Sequence, residues 1–591
     1  MKEMLACIGL LCASIGSASH GDLIEDRQNA LLEMLQYVRV PQIAGSASAG
    51  QKYFTPRPWR SAYTKYTASL LNGVNVAEAA AWFKDDENLV ISEWETLMLL
   101  RGYHALKGNE YFISSGAKEK VEEYLKRCVE ATRTPGNKVN WKLDGYWGSE
   151  NHKIVQFSER LLLEELAGEG MDESIHDQVA YQIKMWCREK ALRGYTEYCS
   201  PHYTERSLVP LLNIYDYTID EDLKKWVHMA IDQLMVECAI FQINGFRGGA
   251  IRRCYQSSDG GYPNAELNDG RYDCMHPVGY VFFDNTNLLP ITYRASDQSI
   301  IYVFLATTAY RPTLIHNHLA RPEKRGMLEL KSGRRWDHEG SQPQAPDTYI
   351  YAWITPQYVL SSIRIPPEVK WEGAVNGGIP YRLSFHDCQA MIGTRASVGG
   401  TSRSAVAVAP DPESQRPLFQ HQNVLIYRGT VDTYRHIEPV IPRGRGIDHK
   451  ETEGEYRFYR EKGVDGESVY SGVLERNGLG IMEVRLASQY PSWTAFMDDF
   501  RSNEAVMNSE SDVNYTTCDG VQIRISGNKV TLDGVEQQLA GWPLYDSLVI
   551  KGDWLNQSNE AGLVTIGDEH IGTLTLDFRD ENRPMRRLNL P

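Results

Sequence analysis

The chain has 591 residues, 77 acidic against 62 basic side chains and a formal net charge of −15. Hydrophobic residues make up 42% and charged residues 24%, which is ordinary for a globular protein and excludes a disordered chain, a fibrous repeat and a simple basic nucleic-acid binder. Its length suggests roughly two to four domains of about 150 residues, and its 13 Trp and 33 Tyr lean weakly toward surfaces that hold sugar rings.

The chain opens on a targeting pattern. Lys2 gives a small positive start, Met4 to Ile15 is a short apolar run, and Ser17-Ala18-Ser19 offers small residues for cleavage. Residues 1–19 are therefore expected to be a secretory signal, and the mature protein to be secreted or periplasmic. The run falls short of the roughly 20 residues a membrane span requires, and no later segment reaches that length without charges, so no membrane span is expected. Eight of the ten cysteines lie beyond it, too few for a disulfide scaffold. There is no CxxC. Cys187 with Cys199 and Cys254 with Cys274 are possible bridges, and free buried thiols serve equally well.

From Asp26 to about Ala320 helical periodicity dominates. Leu223, Trp226, Val227, Ala230, Ile231, Leu234, Cys238 and Phe241 recur at three and four residues, and Ile154, Phe157, Leu161 and Leu162 do the same. Further helices are expected near 26–38, 59–71, 76–84, 92–107, 116–131, 173–190 and 206–217. Short polar connectors such as Thr134-Pro135-Gly136-Asn137 make them a tandem of helical hairpins, without the fixed period of a consensus repeat. The polar stretch from Gly333 to Asp347 reads as a linker. Beyond it the pattern changes to period two, as at Val424–Tyr427, Gly480–Leu486, Val521–Ile525, Lys529–Leu532 and Leu574–Phe578, with turns such as Ser526-Gly527-Asn528 and Asp533-Gly534 between. The expected fold is a helical domain over 20–335 followed by an antiparallel β-sandwich over 348–591.

Two helix starts carry candidate chemistry. In the run Asp144 to Lys153, glycines at 145 and 148 mark a loop, Ser149 is a good N-cap, and Glu150, Asn151 and His152 fall in the first turn. In the run Glu197 to Arg206, Pro201 suits the first helical position, His202 and Tyr203 fall in the first turn, and Pro210 would kink or restart the helix. Helix starts present free N–H groups and a positive dipole end, which suit an anionic ligand. The bland alternative at both is capping and loop packing. A third cluster runs from Asn244 to Tyr255. It holds Arg247, Arg252 and Arg253 with no acid, and Gly248-Gly249 would let the backbone approach a ligand closely. The bland alternative is a solvated loop. Asn151, His202 and Arg252 stand roughly fifty residues apart, about one helical hairpin each, so they would project from successive staves at the same end.

This combination resembles the (α/α)-toroid polysaccharide lyases: an exported chain, an N-terminal helical array, a C-terminal β-sandwich, and the motif residues Asn151, His152, His202, Tyr203 and the Arg247–Tyr255 cluster. The resemblance implies a toroid of helical hairpins and β-elimination of a uronate-containing acidic polysaccharide. In that group Asn, His, Arg or Glu neutralise the uronate carboxylate, and a Tyr, sometimes with a His, removes the C5 proton and protonates the leaving oxygen. Carried over, it implies Tyr203, His202, Asn151 and Tyr255 as catalytic residues, with the choice of Tyr203 or Tyr255 as base left open. Glu150, His152, Arg206, Arg247, Arg252, Arg253 and Trp147 would contact substrate. The chemistry is coherent. A proton alpha to an ionised carboxylate is barely acidic, so neutralising groups must stabilise the developing charge, and a tyrosine base is helped by a nearby cation. No metal or other cofactor is needed, no nucleic-acid partner is implied, and the oligomeric state is open.

Other arrangements are weaker. His316-Asn317-His318 with Asp337 and His338 could ligate a metal. Asp144 with Glu150, or Glu197 with Glu205, could form the carboxylate pair of a toroid glycoside hydrolase. A non-catalytic glycan-binding protein is the third reading. GxGxxG, Walker, HExxH and GxSxG motifs are absent.

Overall fold

The computed structural model describes residues 20–38, 40, 58–89, 93–134, 150–195, 200, 203–243, 246–250, 276–283, 300–334, 348–364, 380–385, 390–393, 416–429, 431–435, 449–462, 466–542, 546–549, 555–557 and 562–591. The helices are α1 His20–Leu35, α2 Pro58–Leu71, α3 Val76–Lys84, α4 Glu93–Leu106, α5 Glu110–Ser114, α6 Ala117–Arg133, α7 Glu150–Leu166, α8 Glu173–Arg193, α9 Tyr203–Tyr217 and α10 Glu221–Ile240. A two-strand hairpin follows, β1 Gln242–Ile243 and β2 Phe246–Arg247, then α11 His276–Phe282, α12 Ile300–Thr307, α13 Leu314–Ala320 and α14 Pro322–Arg325. Two of the starts are capped by aspartates. Asp172 caps α8 through the Ile175 amide, and Asp220 caps α10 through those of Asp222 and Leu223. Helix α9 runs through Pro210, whose carbonyl accepts from Ser158 Oγ of α7 at 3.1 Å.

Helices alternate between two layers. Contacts pass from α2 to α4, α7, α9 and α12 and return from α12 to α2, a closed circuit. Helices α3, α6, α8 and α10 each touch a helix of this circuit, the one before it in sequence or the one after. The inner helices α4, α7 and α9 run parallel. Trp94 lies by Arg206, Leu97 bonds Asn213 and Arg101 bonds Asp216, while on α7 His152 bonds Glu93 and Ser158 bonds Pro210, so the three helices advance together. All three therefore begin at one end.

The rest of the chain is built of antiparallel strands: β3 Leu328–Arg334, β4 Thr348–Ile354, β5 Tyr358–Arg364, β6 Tyr381–Phe385, β7 Ala390–Gly393, β8 Arg416–His421, β9 Val424–Arg428, β10 Asp432–Arg435, β11 His449–Glu453, β12 Tyr456–Lys462, β13 Ser468–Arg476 and β14 Leu479–Leu486. One helix, α15 Trp493–Ser502, precedes β15 Ala505–Ser509, β16 Asp512–Thr516, β17 Gln522–Ser526, β18 Lys529–Leu532, β19 Val535–Glu536, β20 Asp546–Val549, β21 Leu555–Gln557, β22 Leu563–Asp568, β23 Gly572–Asp577 and β24 Met585–Asn589. A large sheet is ordered β10-β7-β6-β5-β4-β3-β20-β21-β22-β23-β24, a second β11-β12-β13-β14-β9-β8, and a third is the meander β15 to β19.

Strand alternation stacks these layers. On the large sheet Val359 and Ile363 join the helical core, while Tyr358 and Leu360 meet Leu425 and Tyr427 of the second sheet. On the second sheet Val424 and Ile426 point the other way, into a core with Phe496 of α15 and Val513 and Ile525 of the meander. The large sheet thus lies between the helices and the second sheet, and its helical face shares one continuous core with them.

One expectation changes. Strand β3 begins at Leu328, and its residues 328–334 pair with β4 from Ile354 back to Thr348. The polar stretch expected to separate domains therefore joins two neighbouring strands of one sheet.

Candidate active site

The starts of α4, α7 and α9 meet. At the start of α7, His152 Nδ1 lies 2.5 Å from Oε1 of Glu93, the first residue of α4. A carboxylate only accepts, so this contact holds the proton on Nδ1 and leaves Nε2 as the other working nitrogen. The imidazole is 39% exposed, enough to reach a ligand. Its ring packs edge-to-face on Trp94 at 5.9 Å, and the Arg206 guanidinium lies over the same indole at 4.6 Å. Arg206 also lies over the ring of Tyr203, one turn earlier on α9, at 5.8 Å. Glu93, Trp94, His152, Arg206 and Tyr203 thus form one contiguous patch from three helix starts. The dipole ends there favour an anion.

Deeper residues hold this patch. Glu150 is buried and paired with Lys190 of α8 at 2.5 Å, and its carbonyl accepts from Trp186 Nε1 at 3.2 Å. Burial alone would lower the Lys190 ammonium, but Glu150 and Glu189 outweigh it and keep the group above the ordinary lysine range. Glu150, expected to contact substrate, instead fastens the start of α7 to α8. Asn151 is fully buried, and its Oδ1 accepts from the His152 amide at 2.8 Å. It underlies His152 instead of facing a ligand. Arg247 is buried too. Its guanidinium donates to Ser200 O at 2.8 Å and Thr204 Oγ1 at 3.3 Å, while Ser200 Oγ accepts from the Tyr203 amide at 3.0 Å. Arg247 therefore braces the start of α9, and Arg382 of β6 donates to its carbonyl at 3.1 Å.

The glycines after Arg247 have a different use from the one expected. A Cβ at Gly248 would lie 3.1 Å from Val359, and one at Gly249, with φ +81°, would lie 2.9 Å from Ser361 Oγ. Their close approach is to β5, where Ala250 N also donates to Ser361 Oγ at 2.6 Å.

Trp147, His202, Arg252, Arg253 and Tyr255 lie outside the described residues, as do Asp144, Glu197, Asp337 and His338. His316 is buried, with Nδ1 against Thr313 and Nε2 on the Asp232 carbonyl at 3.0 Å, so both nitrogens serve the core. Cys187 is a free buried thiol, not half of a bridge with Cys199. Among the described residues no group of three or more His, Cys, Asp or Glu side chains could hold a metal ion, and no helix is long and apolar enough to cross a membrane.

Sequence reasoning passed over Glu93 and Trp94. A signal existed: Ser92-Glu93 repeats the Ser149-Glu150 pattern at the start of a helix.

No model of a known protein family matches the chain, and no curated protein matches it. Among solved structures it is similar to one titled "Crystal Structure of Heparinase III", at 10% identity and a TM-score of 0.28, covering 97% of this chain and 82% of that one. At that level of similarity nothing about this chain's activity follows from it.

Proposed function

We propose that the protein is a secreted polysaccharide lyase that cleaves a uronate-containing acidic polysaccharide by β-elimination, with its site at the rim of an (α/α) toroid. The observation that carries this reading is the meeting of His152, Arg206 and Tyr203 at two parallel helix starts, backed by Glu93 and Trp94 from a third. Arg206 and the helix dipoles receive the uronate carboxylate and stabilise the charge that develops as C5 loses its proton. Tyr203, as phenolate, takes that proton, the C4–O bond breaks, a C4=C5 double bond forms, and Tyr203 returns the proton to the leaving oxygen. Glu93 fixes the His152 tautomer. Asn151, Glu150 and Arg247 act through the groups they position. His202, Arg252, Arg253, Trp147 and Tyr255 keep the roles that the resemblance to toroid lyases implies, Tyr255 as the reserve base.

A hydrolase built on Glu150 is disfavoured, because that carboxylate is enclosed with Lys190. The deciding assay incubates the protein with alginate, glucuronan, hyaluronan, chondroitin and heparin-like chains and follows ultraviolet absorbance of the unsaturated product. Absorbance growing with one of them is the expected result. New reducing ends without absorbance would point to hydrolysis, and binding without cleavage to a glycan-binding protein.

A further inference from the structure

The large sheet reaches the start of α9 through one short segment. Alternation along β5 puts Val359, Ser361 and Ile363 on the face toward the helices, where Val359 and Ile363 lie in the helical core. On β6, Arg382 pairs with Ser361 and Ser384 with Val359, so both share that face, while Tyr381, Leu383 and Phe385 join the core on the other. Three polar side chains, Ser361, Arg382 and Ser384, therefore stand in an apolar layer, and all three are buried.

Each of the three meets the backbone of residues 247–250. Arg382 Nη2 donates to Arg247 O at 3.1 Å, Ser384 Oγ accepts from the Gly249 amide at 3.0 Å, and Ser361 Oγ accepts from the Ala250 amide at 2.6 Å. Buried polar groups are costly unless bonded, and apolar side chains would pack this layer without that cost. Their use here is the grip on the segment. What the segment holds is the start of α9. The Arg247 guanidinium donates to Ser200 O at 2.8 Å and to Thr204 Oγ1 at 3.3 Å, Thr204 Oγ1 donates to Ser200 O at 2.8 Å, and Ser200 Oγ accepts from the Tyr203 amide at 3.0 Å. Tyr203 is the first residue of α9, and an amide there has no partner within the helix, so that turn is set from outside. The path from β6 to Tyr203 contains no link longer than 3.3 Å.

We propose that Arg382, supported by Ser361 and Ser384, is a positioning residue for Tyr203: acting through Arg247 and Ser200, the strand layer fixes where the phenol stands beside Arg206, whose guanidinium lies 5.8 Å from its ring. The consequence for turnover rests on the lyase reading with Tyr203 as base; the consequence for where Tyr203 stands does not. On this account the helical ring alone does not complete the site, and a substitution on the sheet reaches the chemistry without touching substrate.

The test uses the full chain with 3-fluorotyrosine at its 33 tyrosines. The Tyr203 fluorine signal is the one lost in Tyr203→Phe. Arg382→Gln should move that signal and lower kcat about tenfold with KM nearly unchanged, as misplacement of an intact base does. Arg382→Lys keeps a charged donor and should restore part of both. In an Arg247→Gln background, Arg382→Gln should add little to either change, because the path is already cut. Ser384→Ala removes one hydroxyl from the same grip and should move the signal the same way by less; it decides the matter if the arginine variants fail to fold. Gly480→Ala, which disturbs the second sheet away from this path, is the control and should leave the signal and kcat in place. A Tyr203 signal that stays still in Arg382→Gln and Ser384→Ala, that moves as far in Gly480→Ala, or changes that simply add in the double variant would overturn the proposal. The polysaccharide absorbance assay is read separately. A moved signal without unsaturated product rejects the lyase and keeps the positioning role; product with an unmoved signal rejects the positioning role alone.

Discussion

His152 Nδ1 and Glu93 Oε1, 59 positions apart in the chain, lie 2.5 Å apart in the structure. The contact joins the first turns of α7 and α4, and it decides which imidazole nitrogen carries the proton. Trp94, next to Glu93, backs the ring and also carries Arg206, so orienting the histidine and placing the cation are one structural event.

Glu93→Gln tests that coupling. Glutamine fills the same space but can donate as well as accept, so the tautomer is no longer fixed. Complete loss of acid–base help is typically worth roughly 10²- to 10⁴-fold; loss of positioning alone should lower kcat by about tenfold, leave KM nearly unchanged and alter the pH–rate profile. An unchanged pH profile would show that Glu93 serves only the fold.

Tyr203→Phe keeps the ring under Arg206 and removes only the phenolic oxygen. Turnover should fall at least about a hundredfold while polysaccharide binding, measured separately, changes little, since the lost interaction acts in the transition state. Full activity in this variant would move the base to Tyr255, and full activity in both Tyr→Phe variants would remove a tyrosine base from the mechanism.

The fold was legible where side-chain period was strong. Helices such as Ala117–Arg133 and Glu221–Ile240 fall close to where the 3.6-residue pattern puts them, and Lys529–Leu532 is a strand over the same residues read from alternation. Short elements escaped, because two residues in β1 or β2 cannot show a period. Strand β3 escaped because its polar end runs into a polar connection, and composition does not tell a hairpin loop from a linker. At the site, Tyr203, His152 and Arg206 were legible as helix-start residues. The enclosed states of Glu150, Asn151 and Arg247 were not, because each is set by a distant partner: Lys190 on α8, the packed interior, and Ser200 with β6.

His104 gives a pH test of the folded state. Its ring stacks on Tyr217 at 4.3 Å with planes 12° apart. Burial, helped by Lys107 and Arg101, lowers its pKa from 6.5 to about 3. Between those values the unfolded chain binds a proton that the folded chain does not, so stability falls as pH drops from 6.5 toward 3. His104→Phe keeps the stack and removes the titration. The variant should lose less stability than the parent between pH 7 and pH 5, by about 1–2 kcal/mol. Parallel urea midpoints for the two proteins at both pH values would exclude this role for His104.

Arg586 on β24 ties the last strand to the helices. Its Nε donates to Asp232 Oδ2 at 2.6 Å, and Tyr310 Oη donates to Oδ1 at 2.8 Å. Asp232 is fully enclosed, and Arg586 is 24% exposed. Arg586→Met keeps the apolar stem but leaves the carboxylate with one donor, a loss of about 2–4 kcal/mol. Adding Asp232→Asn should recover part of it, because no buried charge is then stranded. A double variant no more stable than the single one would show that packing, not charge, carries the contact.

Gly480 on β14 pairs with Tyr427 on β9, and a Cβ there would lie 2.1 Å from the tyrosine ring. That ring has no room to yield. It is fully buried, stands 4.8 Å from the Tyr381 ring, and its hydroxyl donates to Glu475 Oε1 at 3.0 Å. Gly480→Ala must therefore displace the aromatic pair or bend the strand, at about 1–3 kcal/mol for overpacking and roughly 1 kcal/mol more if the hydroxyl loses its partner. Gly108→Ala, where a Cβ would meet nothing within 4 Å, is the control and should change stability little. Tyr427→Leu alone should destabilise by opening a cavity, but in the Gly480→Ala background it removes the collision, so the two changes together should cost less than their sum. Strict additivity of the two in thermal unfolding would mean the alanine is accommodated without touching Tyr427, and the close pairing of β9 with β14 would then not be what requires glycine there.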